Sequence, residues 1–115
     1  MPHVIRSGVA DLEAAWRNLP HGPWRWGTAV ARVEGCYLGR DAAVLLVAGV
    51  VVEYGRPLHP IMLVSRGPDT TAVHLWAPVP VERTDAVKRL LAQVANELPA
   101  FGAGAVVSTN IPHLL

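Results

Sequence analysis

Apolar residues recur at helical spacing in two stretches of the chain, one toward each end. The first stretch has apolar side chains three or four residues apart, at Val9, Leu12, Trp16 and Leu19, and this is the period of one helix face. Ser7 precedes them as a candidate N-cap. Pro20 follows them and would end a helix, because the residue before a proline is driven out of the α region. We therefore predict a first helix over residues 7–19.

The second stretch carries a longer apolar stripe. Its members are Val87, Leu90, Leu91, Val94, Ala95 and Leu98. Charged and amide side chains fill the opposite side, as in a helix that packs one face on a core. Pro78 and Pro80 precede the stripe, and Glu82 and Asp85 lie in or just before its first turn. We predict a second helix that stops at Pro99.

Between these two stretches the pattern changes to runs and alternations typical of β-strands. Turn residues rich in glycine and proline divide the region into four segments, at about 28–37, 42–54, 58–65 and 70–77. Connections of three or four residues require antiparallel neighbours, because parallel neighbours need a long crossover. The pattern therefore predicts a four-stranded antiparallel meander.

Residues 42–54 form the most apolar segment of this meander. β-branched side chains dominate it, at Val44, Val47, Val50, Val51 and Val52. Such a run is typical of a strand that is buried on both faces, so we expect it at the centre of the sheet. A buried helix is the alternative, which Gly49 and the valines disfavour. In the next segment, Pro60 removes one ladder N–H and indicates an edge strand or a strand start.

Two short segments complete the pattern. Residues 3–6 are compatible with a short edge strand, and residues 105–109 predict a last short strand. The predicted fold is α+β, an antiparallel meander sheet of four to five strands with an N-terminal and a C-terminal helix packed together on one face. Since the chain has 115 residues and no linker or repeat, we predict a single domain over residues 1–115.

Composition narrows the class of protein without identifying a function. Hydrophobic residues make up 51% of the chain and charged residues 17%, which is typical of a chain that folds. The formal net charge is +1, so the basic excess of most nucleic-acid-binding domains is absent. The N-terminus lacks the pattern of a signal peptide, and no apolar run is long enough for a membrane-spanning helix. We expect a cytoplasmic protein without a membrane partner, and the scarcity of Asn, Gln, Cys and Met is compatible with a thermophilic source or a GC-rich genome.

Residues with obvious chemistry are few and scattered. Cys36 is the only cysteine, so no intramolecular disulfide forms, and no partner signature marks it as a nucleophile. The five histidines are His3, His21, His59, His74 and His113. None of their spacings places two metal ligands on one face of an element. We expect no metal site and no cofactor, and the sequence assigns no catalytic residue.

Two groups of residues are candidates for contacting a ligand or a partner. The first group lies in and beside the loop before the first strand: Arg17, His21, Trp24, Arg25 and Trp26. Tryptophan and arginine together suit nucleobase stacking and are frequent in protein hot spots, but the same tryptophans would also cover the edge of the sheet. The second group, His74 and Trp76, is expected on one face of the fourth strand, away from the helices.

These observations support three functional hypotheses. The first is a non-enzymatic protein-interaction module that self-associates as a dimer, because two helices cover only one face of a sheet whose central strand is apolar throughout. A polar outer face would contradict it. The second is a binder of a small ligand or single-stranded nucleic acid through the loop 17–26. The third is a small enzyme with His21 or His74 as general base, which the sequence supports less than a binding role.

Overall fold

The structure, a computed structural model, describes residues 1–115 and contains eight β-strands and two α-helices. The strands are β1 (His3–Ser7), β2 (Trp24–Trp26), β3 (Ala29–Leu38), β4 (Val44–Glu53), β5 (Arg56–Leu58), β6 (Ile61–Arg66), β7 (Thr70–Leu75) and β8 (Val106–Thr109). The helices are α1 (Leu12–Asn18) and α2 (Asp85–Glu97), and short 3-10 turns lie at Arg40–Ala42, Leu98–Phe101 and Pro112–Leu114. Neither α-helix has the length and apolar character needed to cross a membrane.

All eight strands belong to one curled antiparallel sheet. Its spatial order is β2-β3-β4-β6-β7-β1-β8, and β5 pairs with the second half of β4. The predicted meander of four to five strands with helices at the two chain ends is therefore wrong. The sheet gains β2 and β5, in segments predicted as a loop and a turn, and it also includes β1, which precedes α1, and β8, which follows α2, so that neither helix is terminal. β1 pairs with β7 and β8, which are distant along the chain, and local hydrophobic patterns carry no information about such partners.

The first helix is shorter than predicted because β1 takes its first residues. Ser7 pairs with Thr70, and its N–H donates to the carbonyl of Ala105 at 2.8 Å. The predicted capping role belongs instead to Asp11, whose side chain accepts the N–H of Ala14 at 3.1 Å. β1 also lies between two strands, so it is not the edge strand that residues 3–6 suggested.

Two further strands form in segments predicted as a loop and a turn. Trp24–Trp26 pairs with the start of β3 through a turn at Gly27, whose φ is 62°. After β4, Tyr54 and Gly55 both have positive φ, as a two-residue hairpin turn requires, and β5 follows. Pro60 lies in the break between β5 and β6, where its carbonyl accepts the N–H of Gly49 at 2.9 Å.

One face of the sheet packs against both helices. A single hydrophobic cluster of 25 buried residues joins the helices to this face, which we call the inner face. The sheet and α2 approach closely at Gly49, where an added Cβ would lie 2.6 Å from Cδ2 of Leu90 on α2. We call the opposite side of the sheet the outer face, and neither helix packs on it.

Candidate interaction face

The outer side of β4 is apolar although no helix covers it. Side chains along this strand alternate between fully buried and half-buried. The buried set, which includes Leu45, Val47 and Val51, faces the helices. The half-buried set points outward and consists of Val44, Leu46, Ala48 and Val50. The sequence predicted burial on both faces, whereas the structure buries only one, so a strip of apolar side chains crosses the outer face at the centre of the sheet.

The register extends this strip onto the neighbouring strands, because directly opposed residues of an antiparallel pair point to the same face. Leu46 pairs with Leu63, and Ala48 pairs with Ile61. Farther along, Ala72 of β7 pairs with Ile5 of β1. These side chains are also half-buried. The outer patch is defined as Ile5, Val44, Leu46, Ala48, Val50, Ile61, Leu63 and Ala72.

Polar and aromatic side chains border the outer patch on the β3 side. Tyr37 pairs with Leu46 and is 63% exposed. Arg32 pairs with Val50, and a bulge between Val33 and Gly35 leaves Glu34 as an extra residue beside it. The Glu34 carboxylate lies 3.9 Å from the Arg32 guanidinium and 3.4 Å from Nδ1 of His59. The border of the patch therefore carries both signs of charge.

Two histidines border the patch on the opposite side. His74 pairs with Leu63 on one side and with His3 on the other. The main-chain groups of His3 are turned away from β7, since its N–H donates to Asn110 at 2.9 Å and its carbonyl accepts from the Thr109 hydroxyl at 2.8 Å. The two histidines therefore form the non-hydrogen-bonded type of antiparallel pair, in which side chains lie closest together. Because the two histidines are far apart along the chain, sequence reasoning could not predict this proximity.

The tryptophans of the predicted binding loop lie against the core. Trp24 pairs with Ala31 and Trp26 with Ala29, and both alanines are buried on the inner face. The two indole rings are parallel, with centroids 6.5 Å apart. Arg25 lies between them in sequence and therefore on the opposite face of the strand. The structure thus separates the arginine from the aromatic rings with which it was expected to act.

Arg17 and His21 do lie together, in an open depression of about 450 Å³ that they share with Trp16 and Cys36. The guanidinium carbon of Arg17 is 5.2 Å from the centre of the Trp16 ring, and Trp16 Nε1–H donates to the Cys36 carbonyl at 3.1 Å. Burial raises the pKa of the Cys36 thiol above its ordinary value. The thiol therefore stays protonated near neutral pH, which disfavours a nucleophilic role.

Trp76 lies just beyond the end of β7, two residues after His74. Its main-chain N–H donates to the Ile61 carbonyl at 2.8 Å, and Trp76 lines a depression of about 180 Å³ with Met1, Leu75 and Arg83 among others. The residues selected from the sequence thus fall into several places, and their role in binding stays a prediction. No group of three or more metal-ligating side chains occurs in the structure.

Comparison with known proteins adds no assignment to these features. No protein-family model, no curated protein and no solved structure matches the chain. Sequence reasoning also did not select the outer patch by residue. Its signal was present in the unbroken apolar run of 42–54, but only the strand register shows which neighbours extend it.

Proposed function

We propose that the protein is a self-associating interaction module, in which the outer patch of one chain packs against the outer patch of a second copy. The observation that carries this proposal is the apolar outer side of β4. Contiguous apolar surface is unfavourable in water and is typical of an interaction site when it is large and bordered by polar residues. A second sheet face would remove this surface from water.

The dimensions of the outer face suit a second copy. Five strands, β3, β4, β6, β7 and β1, lie side by side across it. With strands about 4.8 Å apart and about five residues of about 3.4 Å along each, the face measures roughly 24 by 17 Å. Two such faces in contact would bury roughly 800 Å² of surface, which is typical of a weak, transient interface. We therefore expect a homodimer of modest affinity, with a Kd on the order of micromolar.

Symmetry and charge are compatible with pairing between identical chains. A two-fold interface uses the same surface on both chains, so one patch per chain is enough. The formal net charge of +1 gives two copies little repulsion at long range. Arg32 and Glu34 at the border offer both signs of charge to a partner carrying the same pair. Facing sheets at the usual separation of about 10 Å would give a helix–sheet–sheet–helix sandwich.

The test is sedimentation of the tag-free protein over a concentration series in the presence of EDTA. The variant is the double substitution Leu46→Asn and Leu63→Asn, which places polar groups of similar size in the patch centre. Because the two-fold axis repeats each substitution, we expect Kd to rise at least about 100-fold. The matched control is Val107→Asn, since Val107 is 60% exposed on β8 and lies outside the patch.

The outcomes separate clearly. A dimer in the wild type and the control, with a monomeric double variant of unchanged circular dichroism, supports the proposal. A wild type that remains monomeric at millimolar concentration would overturn it. Equal association of the double variant and the wild type would show that another surface holds the copies together.

A further inference from the structure

We propose that His3 and His74 form a chelating pair for a divalent first-row transition metal ion such as Zn²⁺, Cu²⁺ or Ni²⁺. The ion would bind to Nε2 of both rings on the outer face. This inference does not rest on self-association, because both side chains are half-buried and accessible in the single chain.

The backbone brings the two rings into chelating range. His3 and His74 are directly opposed on β1 and β7, and in such a pair the Cβ atoms lie roughly 4.5–5.5 Å apart. Nitrogen–metal bonds of about 2.0–2.1 Å at a tetrahedral angle require ring nitrogens about 3.3 Å apart. Imidazole side chains on Cβ atoms this close are long enough for their ring nitrogens to approach to this separation without a change in the backbone.

The hydrogen bonds of both rings prepare Nε2 as the ligand atom. Nδ1 of His74 lies 2.9 Å from the carbonyl oxygen of Leu75, and Nδ1 of His3 lies 3.2 Å from that of Met1. A carbonyl oxygen only accepts, so in each neutral ring Nδ1 carries the hydrogen and Nε2 presents its lone pair. Metal-ligating histidines usually have this arrangement, in which the second ring nitrogen donates to a carbonyl or a carboxylate.

The two rings are also turned in the same direction. Because β1 and β7 are antiparallel, Met1 and Leu75 both lie at the same end of the strand pair, beyond the histidines. Both Nδ1 atoms are hydrogen-bonded toward that end, so the two Nε2 atoms are free on corresponding sides of their rings. This common orientation distinguishes the pair from two unrelated surface histidines.

Ligand chemistry selects the kind of ion. Imidazole nitrogen suits Zn²⁺, Cu²⁺ and Ni²⁺, whereas Mg²⁺ and Ca²⁺ prefer oxygen ligands. Two histidines leave coordination positions for water or, in a homodimer, for the same two histidines of the partner subunit. The number of ions per chain distinguishes these cases, since water completion gives one ion per chain and shared ligation gives one ion per two chains.

The experiment is calorimetric titration of the tag-free protein with Zn²⁺ at about pH 7.5, because imidazole binds metal ions in its neutral form. We expect saturable binding that weakens at least about tenfold in His3→Ala and in His74→Ala. The matched control is His59→Ala, because His59 also has an oriented Nδ1, beside Glu34, but is not in the His3–His74 pair. Binding should be unchanged in this control, and Mg²⁺ should give no signal.

A second readout does not depend on affinity. Electron paramagnetic resonance of the Cu²⁺ complex should show two imidazole nitrogens in the wild type and one in His3→Ala, a variant at the start of the first strand. Binding that survives both alanine substitutions, or that falls equally in His59→Ala, would overturn the inference. The monomeric double variant, Leu46→Asn with Leu63→Asn, should still bind the ion, so failure of self-association and failure of metal binding are distinguishable.

Discussion

Gly49 is a position at which the sheet and α2 approach each other closely. A Cβ added there would lie 2.6 Å from Cδ2 of Leu90, which is fully buried, so the Leu90 side chain would have to shift within the core. We predict that Gly49→Ala lowers the free energy of unfolding by about 1–3 kcal/mol, through overpacking. Urea denaturation monitored by tryptophan fluorescence measures this change.

The control for this substitution is Gly35→Ala on the neighbouring strand. Its added Cβ would meet Oη of Tyr37 at 3.2 Å, but that oxygen is the far end of a largely exposed side chain that can shift. The free energy of unfolding of Gly35→Ala should fall by less than about 0.5 kcal/mol. If both variants lose the same stability, the close approach of Leu90 does not explain the glycine at 49.

Through Cys36, the free energy of unfolding should depend on pH. Burial raises the pKa of its thiol in the folded chain, so the unfolded chain ionises first as the pH rises. The cysteine's contribution to stability is therefore fully present below the unfolded pKa and is lost as the pH rises through the folded pKa. We predict that wild type loses more stability than Cys36→Ala between about pH 7.5 and pH 10. Parallel pH curves for the two proteins would contradict this.

Thr71, on β7, connects this strand to the segment between β1 and α1, which no sequence pattern relates to it. It is the only buried polar or charged residue. Its hydroxyl accepts the N–H of Ala10 and donates to the carbonyl of Gly8, both at 2.9 Å. These bonds attach the segment between β1 and α1 to β7. Removal of the hydroxyl would leave the buried N–H of Ala10 and the part-buried carbonyl of Gly8 without this partner.

We predict that Thr71→Val lowers the free energy of unfolding by about 2 kcal/mol or more, because unsatisfied buried groups are destabilising by about 1–3 kcal/mol each. Thr71→Ser keeps the hydroxyl and loses only a methyl group, so it should lose about 1 kcal/mol. Thermal or urea unfolding of both variants measures the difference. A valine variant as stable as the serine variant would show that the hydroxyl does not hold the segment.

At the scale of elements, the local hydrophobic pattern predicts an element correctly where the packing of that element follows the pattern. The stripe from Val87 to Leu98, on α2 and at the start of the 3-10 turn after it, is buried in the core, and the Thr84 side chain caps α2 by accepting the N–H of Val87 at 3.2 Å. β1 shows the opposite case. Ser7 has the residue type of a helix cap, but pairing with Thr70 and the bond to Ala105 keep it in a strand. Such tertiary partners override local propensity.

The same distinction applies to the candidate site. The apolar outer side of β4 was implicit in the run 42–54, because a strand without polar alternation presents apolar side chains to both faces. The neighbours that widen it, such as Leu63 and Ile5, require the register. The pairing of His3 with His74 depends on β1 lying beside β7, and no spacing along the chain predicts that placement.

At the scale of the whole molecule, the character of the outer patch determines how self-association should respond to salt. Apolar burial is not screened by ions, whereas contacts between exposed charges weaken within a Debye length, about 8–10 Å at physiological salt. We therefore predict that the dimer Kd, measured by sedimentation, stays constant or falls as the salt concentration increases. Arg32→Gln removes one border charge and should change Kd only a few-fold, because exposed ion pairs contribute about 0–1 kcal/mol. A steep loss of association with salt would contradict this. So would a larger effect of Arg32→Gln than of the substitutions at Leu46 and Leu63, because either result would show that the charged border, and not the apolar patch, holds the two copies together.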